Sequence, residues 1–116
     1  VSASAEMTYG SDWPAAAPDA NPWAGLSGML TRRNADPAFP GVLAPEQAIS
    51  LSEALPIFTM NGARSLRMEA ETGSLTAGKW ADFIVLDNPL MDMPPDEIAA
   101  VRPAMTVWKG DVVYAK

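Results

Sequence analysis

A run of turn formers and apolar residues over positions 73–87, GSLTAGKWADFIVLD, leaves this chain fewer folding options than any other stretch of it. Gly73 and Gly78 each favour a tight turn, because glycine adopts positive φ angles without a steric penalty. Residues 83–86 are four consecutive apolar residues, the pattern of a strand buried on both faces. The run therefore predicts a turn-rich β segment, with Leu75 in a first short strand and residues 83–86 in a second.

A first helix is predicted upstream of this run. Asn21 is a favourable N-cap, and Pro22 stands at the first helical position, where a missing N–H has no cost. Apolar residues then recur at helical spacing as far as Leu30. We expect Arg32 and Arg33 in the last turn, because cations are favourable at the negative end of the helix dipole.

A second helix is predicted from a capping-box pattern. Ser50 and Glu53 are three residues apart, so each side chain can satisfy a free backbone N–H of the other residue. Pro56 lies inside the apolar pattern that follows, where a proline removes a hydrogen bond and clashes with the preceding turn. Whether Ser50 or Ser52 is the cap, we expect an irregular start, with the helix ending within residues 61–66.

The rest of the chain is predicted to form short secondary-structure elements. Residues 1–9 are weakly strand-like, and residues 94–101 predict a helix of one or two turns with acidic residues near its start. Residues 105–108 and 112–114 flank a Lys-Gly-Asp turn, which predicts a C-terminal β-hairpin.

Composition excludes several classes of protein. The 116 residues carry a net charge of −6, and no basic stretch exceeds the Arg32-Arg33 pair, so we expect no nucleic-acid partner. No apolar run approaches the roughly 18 residues of a membrane span, so we expect no membrane partner either. The chain has no cysteine, which excludes disulfides and thiolate metal sites.

The two most distinctive stretches resemble metal-dependent amidohydrolases. Residues 73–87 resemble the strand pair where the chain of such an enzyme leaves the catalytic barrel and completes a small β-domain. Residues 10–14, GSDWP, resemble the end of the last barrel strand in the YtcJ-like branch of amidohydrolase family 3. The resemblance implies an α/β fold, in which residues 1–68 form the last strand of a TIM-type (β/α)8 barrel and the helices after it. Residues 69–116 would form the C-terminal part of a composite β-sandwich domain.

Asp12 is the candidate catalytic residue and metal ligand. On a barrel it would lie at the carboxyl ends of the strands, where active sites form. The resemblance implies that Asp12 contacts the catalytic metal, takes a proton from the attacking water and delivers it to the leaving group. The alternative from the residues alone is that Asp12 only closes a turn before Pro14. Trp13 is a candidate substrate-binding residue, and simple packing is its alternative role.

Other charged residues are weaker candidates. Arg32 and Arg33 could bind an anionic substrate group, but a solvated helix end is the favoured interpretation. Asp82 and Asp87 flank the apolar strand of residues 83–86 and lie five positions apart, so they face opposite sides of a sheet and are interpreted as turn and strand-end residues.

The chain has no histidine. The resemblance implies a metal site built mainly from histidines, often with a carboxylated lysine, and a catalytic zinc normally needs three protein ligands. We therefore expect a divalent metal, zinc, in the intact parent protein and none in this chain alone. The chain is predicted to be the C-terminal part of a hydrolase acting on non-peptide carbon–nitrogen bonds, inactive by itself.

Two alternatives remain open. The chain could be a non-catalytic, β-rich interaction module derived from a hydrolase tail, or the rest of the barrel could be supplied by another chain. The expected partners are a small-molecule substrate, the remainder of the barrel and a second copy in a homo-oligomer. The sequence begins at Val1 with neither an initiator methionine nor a signal-peptide pattern, which we expect of a piece of a longer protein. A cytoplasmic location is favoured.

Overall fold

The structure is a computed structural model that describes residues 5–15 and 19–116. It contains three α-helices, α1 (Pro22–Thr31), α2 (Leu51–Phe58) and α3 (Met60–Ser65), and three strands, β1 (Phe83–Leu86), β2 (Pro103–Trp108) and β3 (Asp111–Ala115). Single 3-10 turns are formed by Pro45–Gln47, Leu90–Asp92 and Ile98–Ala100. The last of these turns replaces the longer helix that the sequence predicts over residues 94–101.

Helix α1 begins as the sequence predicts. The side chain of Asn21 accepts a hydrogen bond of 3.0 Å from the backbone N–H of Trp23, and Pro22 occupies the first helical position. The prediction that Arg32 and Arg33 lie in the last turn is wrong. The helix ends at Thr31 because Arg32 has a left-handed backbone with a φ of 56°, and its side-chain Nε donates to the carbonyl of Leu43 at 3.0 Å.

Helix α2 has the predicted capping box, with Ser50 as the cap. The Oε2 atom of Glu53 accepts hydrogen bonds from the backbone N–H of Ser50 at 2.8 Å and from its hydroxyl at 2.7 Å. The prediction of an irregular start is wrong, because this cap holds the first turn in place. The irregularity lies instead at Thr59, which separates α2 from α3 with a φ of −131° and a ψ of −94°. Pro56 is accommodated inside α2.

The three strands form one antiparallel sheet in the order β1-β2-β3. The C-terminal hairpin is confirmed. Lys109 and Gly110 form its two-residue loop, with φ angles of 52° and 90°. Positive φ at both loop positions is the backbone that matches the twist of paired strands, and glycine is favoured there.

Two β predictions are wrong, and a third is not met among the described residues. Leu75 is not in a strand, and its side chain is 73% exposed. Strand β1 is not buried on both faces, because it lies at an edge of the sheet and Ile84 and Val85 are each 45% exposed. Residues 5–9 do not form a strand, since none of the described strands pairs with them, and residues 1–4 lie outside the described part.

The main core joins helices α1 and α2 to the 3-10 turn near residue 98. Its buried members are Trp23, Leu26, Ala54, Ile98 and Val101. The hydroxyl of Ser27 donates to the carbonyl of Pro95 at 2.8 Å, and this bond fixes α1 against the segment that leads into the turn. Within the described ranges, no helix combines the length and apolar character needed to cross a membrane.

Candidate active site

The segment before Asp12 is attached to helix α3 by two polar contacts. The guanidinium of Arg64 lies 2.6 Å from the carboxylate of Glu6. The side-chain amide of Asn61 donates to the backbone carbonyl of Met7 at 3.0 Å. Both side chains of the ion pair are about half exposed, so the amide-to-backbone bond is the more specific of the two attachments. Residues 6 and 7 are thereby placed beside α3 although they form no strand.

Tyr9 inserts its ring between helices α1 and α2. The ring stacks on Phe58, with 4.4 Å between the centroids and an angle of 25° between the planes. The hydroxyl end of the ring lies so close to Gly25 that a Cβ at position 25 would be 2.5 Å from both the Cζ and hydroxyl oxygen of Tyr9. A side chain at position 25 would therefore require the Tyr9 ring to shift.

Asp12 and Trp13 follow on an exposed turn. Asp12 has a φ of 53°, a left-handed conformation that aspartate tolerates better than most residues with a Cβ. The backbone N–H of Trp13 donates to the hydroxyl of Ser11 at 3.3 Å, which shapes the turn. Both side chains face open space, and that of Trp13 is 56% exposed. The turn therefore exposes a carboxylate and an indole on consecutive residues.

The described residues do not provide a metal site on their own. Residues 5–15 and 19–116 contain no group of three or more histidine, cysteine, aspartate or glutamate side chains placed to hold a metal ion. Asp12 offers one carboxylate, whereas a catalytic zinc normally has three protein ligands. Any metal that Asp12 contacts must take its other ligands from elsewhere.

The two arginines are not brought to Asp12 by any contact in the described part of the chain. Arg32 uses its Nε to hold the carbonyl of Leu43, and both arginines line a surface groove of about 520 Å³ with the loop of residues 39–43. The side chain of Arg32 therefore fastens this loop to the end of α1. This arrangement agrees with a structural role at the helix end.

Asp82 and Asp87 are engaged by different partners. Asp82, just before β1, accepts hydrogen bonds from the hydroxyl of Thr72 at 2.9 Å and from the backbone N–H of Lys109 at 2.7 Å. Asp87, just after β1, accepts from the backbone N–H of Arg102 at 3.1 Å. These contacts fit the turn and strand-end roles that the sequence indicates.

An apolar groove between helices α2 and α3 and the sheet was not anticipated from the sequence. Its volume is about 630 Å³, and Phe58, Leu66, Leu75 and Ile84 line it. Asp82 is its ionisable lining residue, and both carboxylate oxygens of Asp82 already accept hydrogen bonds. The groove consequently offers apolar surface without a free reactive group.

The close contact between the Tyr9 ring and Gly25 was not predicted either, although the sequence contains an indication of it. A glycine inside a helix costs about 1 kcal/mol relative to alanine, so Gly25 is unfavourable unless something requires it. Here the close approach of the Tyr9 ring supplies the reason. The sequence by itself does not show which residue fills the space beside Gly25.

Comparison with known proteins identifies one family that matches this chain. A model of a family described as the amidohydrolase family matches residues 1–114. The chain is 31% identical over 100 residues to Protein LONG AFTER FAR-RED 3 of Arabidopsis thaliana, covering 86% of this chain and 16% of that protein.

Two bacterial relatives match shorter stretches. The chain is 32% identical over 74 residues to N-substituted formamide deformylase of Arthrobacter pascens, covering 64% of this chain and 14% of the relative. It is 40% identical over 62 residues to 5-methylthioadenosine/S-adenosylhomocysteine deaminase of Moorella thermoacetica, covering 52% of this chain and 14% of the relative. The chain thus spans at most 16% of the length of these curated relatives. No solved structure matches it.

Proposed function

Because the chain belongs to the amidohydrolase family, we propose that it is the C-terminal part of a metal-dependent hydrolase acting on carbon–nitrogen bonds other than peptide bonds. The family match over residues 1–114 carries this proposal. The names of two relatives, a deformylase and a deaminase, support chemistry at carbon–nitrogen bonds. Amides, carbamates and ring amides are the corresponding substrate classes.

The proposal extends to the architecture of the parent protein. Residues 1–68 would complete a TIM-type barrel with its last strand and the helices after it, and residues 69–116 would complete a composite β-sandwich. The order of elements supports this division, since helices α1 to α3 precede residue 68 and all three strands follow it. The barrel strand itself would pair with neighbours that are not among the 116 residues.

Asp12 is proposed as the catalytic residue. A bound divalent metal, for which we propose zinc, lowers the pKa of a coordinated water toward about 7. Asp12 would contribute one carboxylate oxygen to that centre, accept one proton at this carboxylate and return it to the leaving nitrogen. The other ligands would come from outside these residues. Trp13 would line the substrate pocket, because its indole is beside Asp12 and more than half exposed.

Replacing Asp12 in the full-length protein tests this assignment. With a panel of N-acyl amines, carbamates and cyclic amides as probes, D12N is expected to lower kcat by about 10²- to 10⁴-fold, the usual contribution of a general acid–base group. D96N is the matched control, because Asp96 is an exposed turn residue. A D12N variant as active as the unaltered enzyme would refute the role of Asp12.

A second candidate function is a non-catalytic interaction module. The observation that favours it is the exposed apolar surface of β3, where Val112, Val113 and Tyr114 are 58%, 56% and 46% exposed. Exposed apolar strands of this kind favour association with another chain or with a second copy. The coding sequence upstream of Val1 separates the two functions. Several hundred preceding codons support the hydrolase, and a start within a few codons supports the module.

A further inference from the structure

We infer that Tyr9 is a positioning residue for Asp12, and that Gly25 is required because it opens the seat for the Tyr9 ring on α1. This inference rests on the proposed function, since it takes Asp12 as the catalytic carboxylate. Tyr9 lies against two helices at once, stacked on the ring of Phe58 on α2 and occupying the space where a Cβ of residue 25 would be on α1. It therefore couples the turn carrying Asp12 to the helical core.

Tyr9 is the point at which the segment leaves that core. Its side chain is half-buried, whereas Gly10 and Asp12 are exposed. Three residues span at most about 11 Å, so Asp12 lies within that reach of the Tyr9 Cα. Among the described residues, Tyr9 is the last anchored residue before this turn, so the location of the Asp12 carboxylate depends on it.

The anchoring of Tyr9 is important because catalysis requires the Asp12 carboxylate to be placed accurately. A displacement of about 1 Å in a reacting group can lower a rate by about 10²-fold. A methyl group at position 25 would lie 2.5 Å from the Cζ and hydroxyl oxygen of Tyr9, so the end of the ring would have to shift by about 1 Å to restore an ordinary contact. The inference requires that part of this shift pass through the Tyr9 backbone to the turn that follows.

Replacing Gly25 with alanine tests the contact with Tyr9 directly. Alanine is a better helix former than glycine by about 1 kcal/mol, so G25A favours α1 itself while it removes the seat. Gly28 provides the matched control on the same helix, because a Cβ there would lie 3.5 Å from its nearest neighbour, the carbonyl oxygen of Arg33, an ordinary contact. A loss of activity in G25A but not in G28A therefore isolates the contact with Tyr9.

The experiment measures kcat and KM of the full-length protein with the same amide, carbamate and cyclic amide panel. Y9A and G25A are each expected to lower kcat by at least about tenfold, with KM within about twofold, since positioning acts on the transition state. Y9F keeps the stacked ring and is expected to retain kcat within about threefold. In the double variant Y9A/G25A the added methyl no longer meets a ring, so the loss should be no greater than in Y9A alone.

Hydrogen exchange provides a readout that is independent of turnover. In the full-length G25A protein, where the proposed barrel strand pairs the amides of residues 6–13, these amides should exchange at least about tenfold faster, while those of α1 are unchanged or slower. If Y9A does not accumulate as folded protein, G25A and G28A alone decide the question. Equal kcat in G25A and the unaltered protein, or equal losses in G25A and G28A, would overturn the inference.

The outcomes also separate this inference from the proposed function. If D12N abolishes turnover while G25A and Y9A are fully active, the hydrolase assignment stands and the positioning role is refuted. If D12N is fully active, the catalytic role of Asp12 fails, and the positioning role fails with it.

Discussion

The carboxylate of Asp82 accepts a hydrogen bond of 2.7 Å from the backbone N–H of Lys109, so the residue before β1 is joined to the tip of the β2–β3 hairpin. Its other oxygen accepts from the hydroxyl of Thr72 at 2.9 Å. The backbone N–H of Gly110 donates to the carbonyl of Ala81 at 3.1 Å, next to the same contact. One half-buried carboxylate thus connects the loop of residue 72, the start of β1 and the hairpin.

Replacing Asp82 should loosen this part of the protein. D82A removes the acceptor for two hydrogen bonds to a charged group, each of which contributes about 1.5–3 kcal/mol, so we expect the free energy of unfolding to fall by about 2–4 kcal/mol after relaxation. D96A removes the same charge from an exposed turn and should change it by less than about 0.5 kcal/mol. Urea unfolding at a fixed protein concentration measures both values. Equal midpoints for D82A and D96A would contradict the prediction.

Local rules account for the parts of the fold that the sequence predicts well. The Asn21 cap, the capping box of Ser50 and Glu53 and the Lys109-Gly110 loop each depend on groups within three residues of one another. Backbone hydrogen bonding at such sites is decided almost entirely by the neighbouring side chains, so it can be read without knowing the rest of the fold.

Burial could not be predicted in the same way. The apolar run of β1 is half exposed because of its place at the edge of the sheet, and Leu75 is exposed because no strand pairs with its segment. The position of Arg32 depends on the distant carbonyl of Leu43. In each case the outcome is set by elements far away in the sequence.

The candidate site also combines features that the sequence predicts with long-range contacts that it does not. The Gly-Ser-Asp-Trp-Pro pattern was sufficient to single out Asp12 and Trp13 as candidates. The restraint on that turn was not visible, because the ring of Tyr9 meets Gly25 and Phe58 across 16 and 49 positions of sequence. A contact between a small residue and a large one leaves no periodic pattern to detect.

The capping box gives a prediction about pH. The hydroxyl of Ser50 and then its backbone N–H donate to the Glu53 carboxylate, and these bonds hold the pKa of Glu53 below its usual value of 4.5. A lowered folded-state pKa stabilises the protein above pH 4.5, and this stabilisation is lost as the pH falls through the folded-state pKa. S50A should therefore raise the pKa of Glu53 toward 4.5, as measured by NMR titration of its carboxyl carbon.

A serine elsewhere serves as the control for that titration. Ser74 makes its hydrogen bond with Thr76 in an exposed loop, so S74A should leave the titration midpoint of Glu53 where it is. E53Q should also remove the part of the acid destabilisation that comes from this group. An unchanged midpoint in S50A would show that the Ser50 hydroxyl does not lower the pKa of Glu53.

Trp13 is predicted to contribute to substrate binding in the full-length protein. If its exposed indole lines the pocket beside Asp12, W13A removes contacts that bind the ground state and transition state alike. We then expect KM to rise by about tenfold with kcat nearly unchanged. Trp108 is the control, because it lies on β2 with a matching exposure of 58%. Steady-state kinetics with the same amide panel distinguishes the two, and equal KM values for W13A and W108A would contradict the role.

Strand β3 leads to a prediction about association of the 116-residue chain when it is isolated. All five of its residues are exposed, and it forms an edge of the sheet, so its outer backbone groups can pair with another chain. Val113 falls at the irregularity in the β2–β3 register and has no partner in that pairing. A charge there should oppose edge-to-edge contact with little cost to the hairpin.

We expect V113K to raise the dissociation constant for self-association by at least about tenfold, a change of about 1.4 kcal/mol. Sedimentation velocity over a series of concentrations measures this constant for the unaltered chain and the variant. M91K is the matched control, since Met91 is 71% exposed but lies in the turn Leu90–Asp92, outside the sheet. If M91K dissociates the chain as well as V113K does, the effect of the added lysine is not specific to the edge formed by β3. A compact monomer of the unaltered chain at every concentration would refute the prediction, because the exposed edge would then drive no association.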